Sequence, residues 1–376
     1  MEIALSDDQE FFRDTTRKFL SSECPIPKVR ALRPDPDGFE RDYWHQGAEL
    51  GWTSMLVPED LGGGSVSGNG VADLALVADA FGTHVAPGPL LPCNVVAATL
   101  ARSGTSEHQG EILPAIVAGD IIATWAFTEA PPHDGLGDVA LRAEADGDDY
   151  VLSGVKSPVE AGAQADHLLV TATTDAGLTQ FLVARDTPGL TVTPLRSVDL
   201  VRRYARLQFD GARVPSSARV GEPGDASADV ERQLQVAGVV QSAEMVGAAQ
   251  VAFDLTLDWA FSRYSFGRPL ASYQEIKHRF ADMKMWLEAS HALADAAARH
   301  AEPDDAAARA VSTAKAYAGD YLAELVQDCV QLHGGIGVTY EHDLHLYLRR
   351  ITVDRLTYGT PADHRRRLGA LRAQAA

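Results

Sequence analysis

Twice along this chain the spacing of apolar residues changes, from helical to alternating near residue 121 and back to helical after Pro223-Gly224-Asp225. In the first stretch Ser6, followed by Asp7, Asp8 and Glu10, reads as an N-cap with an acidic first turn. Phe11, Phe12, Phe19 and Leu20 then recur at helical spacing. Further helices are expected over residues 43–50, 71–81, 94–102 and 108–118. The middle stretch consists of short alternating runs bounded by Gly, Asp and Pro, over 122–127, 140–145, 150–155, 167–173, 179–183, 190–194 and 205–209. With no helical pattern between them, these predict an antiparallel sheet. The last stretch predicts long helices over 230–262, 272–300 and 304–332, with Pro303 as the break and Asp304 as the cap. The fold class is therefore α+β: an N-terminal helical domain over 1–120, a central antiparallel β domain over 121–222 and a C-terminal helical bundle over 223–376.

Composition narrows the function. With 33 Lys and Arg against 52 Asp and Glu, the formal charge of −19 opposes binding to nucleic acid or to an anionic membrane surface. An anionic ligand would need local cations. Arg202, Arg203, Arg206, Arg263, Arg268, Arg349 and Arg350 are the candidates; most read as exposed surface charges, and only Arg263 has a motif around it. Cys24, Cys93 and Cys329 are too few and too scattered for a disulfide framework or a zinc site, which fits a reduced cytoplasm. The acidic start lacks the basic residues and apolar run of a signal peptide. No run of about 20 uninterrupted apolar residues predicts a membrane span.

Four strings invite a functional reading. Pro58-Glu59-Asp60-Leu61-Gly62-Gly63-Gly64-Ser65 is glycine-rich but lacks the Gly-Lys-Ser/Thr ending of a phosphate loop, so a connecting loop is expected. His342 and His345 stand three apart on an expected helix; without a third ligand they read as a surface or interface pair rather than a metal site. The remaining two strings are Arg263-Tyr264-Ser265-Phe266-Gly267-Arg268-Pro269-Leu270, with Gln274 after it, and Gln331-Leu332-His333-Gly334-Gly335-Ile336-Gly337. A guanidinium, two amides and glycines that admit a close backbone approach are the groups that hold a pyrophosphate-containing cofactor.

These strings, together with the helix, sheet, helix order, resemble the acyl-CoA dehydrogenase family over essentially the whole chain. The resemblance implies FAD held between the β domain of one subunit and the helices of a neighbour, an acyl-CoA thioester against it, and electron-transfer flavoprotein as electron acceptor. By the same resemblance Arg263, Phe266 and Gln274 meet the diphosphate and adenine end of FAD. Gln331, Gly334 and Gly335 belong to the loop that receives this end from the neighbouring subunit, and Thr360 to the late Gly-Thr loop beside the cofactor. In Trp125-Ala126-Phe127-Thr128-Glu129-Ala130, Thr128 matches the threonine that contacts the flavin ring, with Phe127 before it. The usual sequel appears only as Gly135-Leu136-Gly137-Asp138, shifted and without the serine that helps seat the thioester.

Two departures are expected to matter. After Gly154-Val155-Lys156 the family carries a Trp and a Thr, two apart, beside the ring; here Pro158 and Glu160 stand in those places. Pro has no aromatic face, and Glu sets an anion near a ring that becomes negative on reduction. Dehydrogenation also needs a carboxylate for the α-proton. The family's two usual positions hold Tyr358 and Ala237. Glu244, about 10 Å further along the same helix, is the nearest candidate base, with an ion pair as its competing role; Glu341 and Glu160 are lesser candidates.

This asymmetry resembles one subunit of the heteromeric acyl-CoA dehydrogenases of bacterial steroid side-chain degradation, in which active sites form between unlike chains of a heterotetramer. A self-sufficient homo-oligomeric dehydrogenase using Glu244, a non-catalytic scaffold and a flavin-dependent oxygenase on the same fold are the alternatives.

Overall fold

The computed structural model describes residues 5–130, 136, 139–300 and 303–374. Helices α1 Asp7–Glu23, α2 Ile26–Ala31, α3 Arg41–Glu49, α4 Gly70–His84, α5 Leu90–Ser103 and α6 Leu113–Val117 come first. Strands β1 Ala123–Ala126, β2 Arg142–Asp146, β3 Asp149–Glu160, β4 His167–Thr174, β5 Gly177–Ala184, β6 Leu190–Leu195, β7 Tyr204–Pro215 and β8 Arg219–Val220 follow. Then come α7 Ser227–Ser262, the small hairpin β9 Tyr264–Ser265 and β10 Arg268–Pro269, α8 Gln274–Ala298, α9 Asp305–His333, α10 Leu344–Leu356 and α11 Pro361–Gln374. By contacts the chain forms two compact units. One comprises Met1–Arg30, Ala75–Ala86 and Gly238–Ala376, the other Ala31–Leu74 and Pro87–Ala237.

In the second unit the strands run in the order β6-β7-β3-β2-β4-β5-β8, with β1 beside β4. The expected antiparallel sheet is mostly so, with one correction: β1 and β2 both pair with β4 in parallel. The intervening β2–β3 hairpin lets the chain cross before β4 is laid down. The apolar run Leu168–Val170 puts β4 in the interior, while Pro194, which has no N–H to donate, sits on edge strand β6. β3 and β7 run longer than their apolar runs predict, because register shifts at Leu152/Ser153 and Lys156/Val159 interrupt the alternation without ending the pairing. Residues 58–65 form a connecting loop with one short turn, as expected. The helix expected over 108–118 is present, opening as a π-turn, His108–Ile112, that runs directly into α6. Pro114 lacks the N–H that a continuous helix would use there.

In the first unit Ser6 and Gln9 close a capping box on α1, and the Asp304 carboxylate accepts from the Ala307 N–H at 2.8 Å to start α9. The close approach of α4 and α7 requires glycine. A Cβ on Gly82 would lie 2.0 Å from the Glu244 carbonyl oxygen, and one on Gly247 would lie 2.1 Å from that of Asp79. One window of α7 is long and apolar enough to cross a membrane, but 89% of it is buried within the protein. α10 begins only at Leu344, so His342 and His345 do not share a helix face: His342 Nδ1 accepts from the Leu344 N–H at 3.2 Å and so occupies the helix start.

Candidate functional site

At the end of α7 the chain turns back on itself. The Leu270 N–H donates to the Arg263 carbonyl at 2.9 Å, and the Tyr273 hydroxyl donates to the Ser265 carbonyl at 2.7 Å, closing the β9–β10 hairpin. Phe266 stands at its tip with φ 49° and 98% exposed, so burial within this chain does not explain it. The exposed Arg263 guanidinium lies 5.7 Å from the Trp259 ring, and no carboxylate partners it among the described residues. Trp259 in turn stacks on His333 with centroids 5.1 Å apart, joining the ends of α7 and α9. There Gly334, at φ 64°, ends α9 with its N–H on the Gln331 carbonyl. A Cβ on Gly335 would meet nothing within 4 Å, so nothing inside the chain demands a bare backbone at that position. Gln331 and Gln274 are exposed, the latter with its amide 2.8 Å from His278 Nε2.

The structure thus gathers Arg263, Phe266 and Gln274 around one hairpin and links them through Trp259 and His333 to Gln331, Gly334 and Gly335. An unneutralised cation, an exposed aromatic face, two amides and open backbone suit an anionic ligand with a planar end. The Thr360 N–H and hydroxyl both donate to Asp363 Oδ2, at 2.8 and 2.7 Å, and its hydroxyl oxygen accepts from the Asp363 N–H at 3.3 Å as the cap of α11.

The loop before Thr360 is held from within the same unit. Buried Lys315 on α9 donates to the carbonyls of Asp354, Thr357 and Gly359, satisfying acceptors that the end of α10 leaves open. His364 lies with Nε2 3.2 Å from the Tyr358 carbonyl, which requires the N–H on that nitrogen, and Nδ1 3.2 Å from the Ser312 hydroxyl. Burial lowers Lys315 to about 7 and His364 to about 3. Tyr358 itself is buried with φ 52°. Sequence reading missed Lys315 and His364, because an isolated Lys or His inside a helical pattern carries no signal until the chain folds over it.

Glu244 is buried and bonded through Oε1 to Arg350 Nη1 at 2.5 Å; Arg350, also buried, donates to the Ala86 carbonyl at 3.1 Å as well. Glu244 on α7 precedes Arg263, the residue just past its end, by 19 positions, about 28 Å along the axis, so the helix keeps the two apart. Glu341 is exposed, its carbonyl accepting from Arg30 at 3.4 Å. The reading of most candidate arginines as surface charges needs correction for two of them. Arg350 and Arg202 are buried, each against a carboxylate far away in sequence.

In the other unit Lys156 is fully buried and donates to the Phe127 carbonyl at 3.0 Å and to Glu129 Oε1 at 2.7 Å. Glu129 Oε2 and Oε1 also accept from the N–H groups of Ala140 and Leu141, at 2.8 and 3.0 Å. Burial lowers Lys156 to about 8, while Lys156 and the backbone donors hold the Glu129 carboxyl below its usual range. This pair and the bond from the Ser157 N–H to the Thr128 carbonyl, 2.8 Å, pin Phe127 and Thr128 beside the end of β3. Phe127 is buried against Trp125, centroids 4.7 Å apart, and Thr128 is half-exposed. On β3 itself, two positions past Lys156, Pro158 is exposed, but Glu160 turns inward onto Arg202, Oε1 to Nε 3.2 Å. The shifted sequel at 135–138, which lacks the serine, lies outside the described residues except for Leu136.

Helices, a β middle and a helical bundle in this order make up the acyl-CoA dehydrogenase fold. The acyl-CoA dehydrogenase N-terminal domain matches residues 6–120, the middle domain 126–212 and the C-terminal domain 228–371. Acyl-CoA dehydrogenase FadE27 of Mycobacterium tuberculosis is 31% identical over 361 residues, 93% of each chain. The ChsE4–ChsE5 complex from Mycobacterium tuberculosis superposes with a TM-score of 0.88 at 28% identity, covering 100% of this chain and 99% of that one. A variant of the Tcur3481–Tcur3483 steroid ACAD gives 0.87 at 29% identity, covering 98% of each. The chain belongs to the acyl-CoA dehydrogenase family.

Proposed function

We propose that this chain is a subunit of an FAD-dependent acyl-CoA dehydrogenase that introduces an α,β double bond into an acyl-CoA thioester, working with an unlike partner chain in a heterotetramer. The observation that carries this reading is the contrast between its two units. One presents Arg263, without a carboxylate partner among the described residues, together with Phe266, Gln274, Gln331, Gly334 and Gly335, which would hold the nucleotide end of the cofactor. The other offers Phe127 and Thr128 but ends its β3 strand in an exposed Pro158 and an inward-turned Glu160.

When bound, FAD supplies the acceptor for the hydride that leaves the β-carbon. Removing the α-proton needs a carboxylate, and neither the alanine at 237 nor the tyrosine at 358 provides one, so the partner chain supplies it. Likeness to the ChsE4–ChsE5 complex and to the steroid ACAD supports unlike chains and a steroid-derived acyl group. Electron-transfer flavoprotein as acceptor and a cytoplasmic setting complete the reading.

Co-purification with the products of neighbouring genes, followed by flavin counting per polypeptide, tests it. The expected result is a stable complex of unlike chains that turns over acyl-CoA and in which Arg263→Ala weakens flavin affinity about tenfold or more, as loss of a charge-assisted phosphate contact does. A lone chain carrying a full complement of flavin and turning over an acyl-CoA overturns it.

A further inference from the structure

The end of β3 carries an observation beyond that reading. Glu160 and Arg202 form an ion pair with both side chains buried, 3% and 7% exposed, inside the β unit. The Glu160 backbone is fixed as well, since its carbonyl accepts from the Thr124 hydroxyl of β1. Asp199 accepts from the N–H groups of Val201 and Arg202, each at 2.9 Å, and so fixes the turn that aims the guanidinium. The cavity bordering the pair, lined also by Phe39, Gln164 and Arg203, measures about 10 Å³. That is room for one water at most, against the ~300 Å³ or more of an ordinary cofactor site. A register shift lies between Lys156 and Val159, and beyond it Pro158 is exposed while Glu160 is buried.

We infer that the Glu160–Arg202 pair is a built-in plug: it fills the flavin-ring seat of this chain's own β unit, so that the ring can rest only on the β unit of the unlike partner. The inference rests on the heteromeric reading and names the residues that impose it. Its consequence is that this chain's own β unit stays without flavin even inside the complex.

The pair can be removed without leaving a buried charge. Breaking it from one side strands the other ion, whereas replacing both members with neutral groups is often tolerated. The test is the double variant Glu160→Thr with Arg202→Ser, co-expressed with the partner, alongside a triple variant that adds Pro158→Trp. The flavin-to-polypeptide ratio of the intact complex should rise, approaching a doubling in the triple variant. Variants that assemble normally but keep the wild-type ratio overturn the inference. Should the variants fail to assemble, titration of wild-type lone chain with lumiflavin, the ring without its nucleotide, decides: absence of binding upholds the plug and binding overturns it. Failure of the heteromeric reading is seen separately, as turnover by the wild-type chain without a partner.

Discussion

Glu244 shows how a residue changes meaning between sequence and fold. As an acid inside an otherwise apolar stretch of helix it qualifies as a base; in the structure its Oε1 is taken by Arg350, and neither side chain reaches solvent. A buried pair of this kind contributes little net stability, but breaking it from one side strands a charge. Glu244→Ala is therefore expected to cost about 3–5 kcal/mol in urea unfolding. Adding Arg350→Met should recover most of that loss, and a double variant no more stable than the single one would show that the pair is not the source. Arg350 could not have been assigned from sequence, because the two partners lie 106 positions apart.

At the scale of elements, the long helices were legible because period and caps agreed. Those expected over 230–262, 272–300 and 304–332 appear as Ser227–Ser262, Gln274–Ala298 and Asp305–His333, the last started by the expected Asp304. Less legible was the parallel pairing around β4, since alternation gives a strand its faces but not its neighbours. α11 shows what sequence leaves hidden: its His364 is bound on both nitrogens, to Tyr358 and Ser312, and is neutral when folded. Its folded pKa, lowered to about 3 by burial, lies below the ordinary value of 6.5. The unfolded chain therefore binds the extra proton first, and stability is full above about pH 6.5 and lost as pH falls toward 3. By pH 5 the loss from this group is about 2 kcal/mol. Denaturant midpoints at pH 7 and pH 5 should diverge less in His364→Gln than in the wild type, and equal divergence would exclude His364 as a source.

Over the whole molecule, the residues expected at the nucleotide end stand out in the sequence because they form two compact strings, whereas the Glu160–Arg202 pair does not, because Arg202 lies in a separate segment from Glu160. The first unit also leaves Phe261, Tyr264 and Phe266 exposed before and in its hairpin, and Ile336, Val338 and Tyr340 exposed after α9. Exposed apolar surface gathered in this way is typical of a face that meets another chain. The lone chain is therefore expected to enhance the fluorescence of an apolar-surface dye, and addition of the unlike chain should quench it. A signal unchanged by the partner would place the contact elsewhere.

The composition of the first unit bears on how the protein is made. Its opening 30 residues and the short piece at 75–86 complete their packing only with chain that begins at residue 238. The usual progress of folding behind the ribosome, N-terminal part first, is therefore unavailable to it. The sheet-bearing unit, finished by residue 237, can form while α1 still waits for the last third of the polypeptide to emerge.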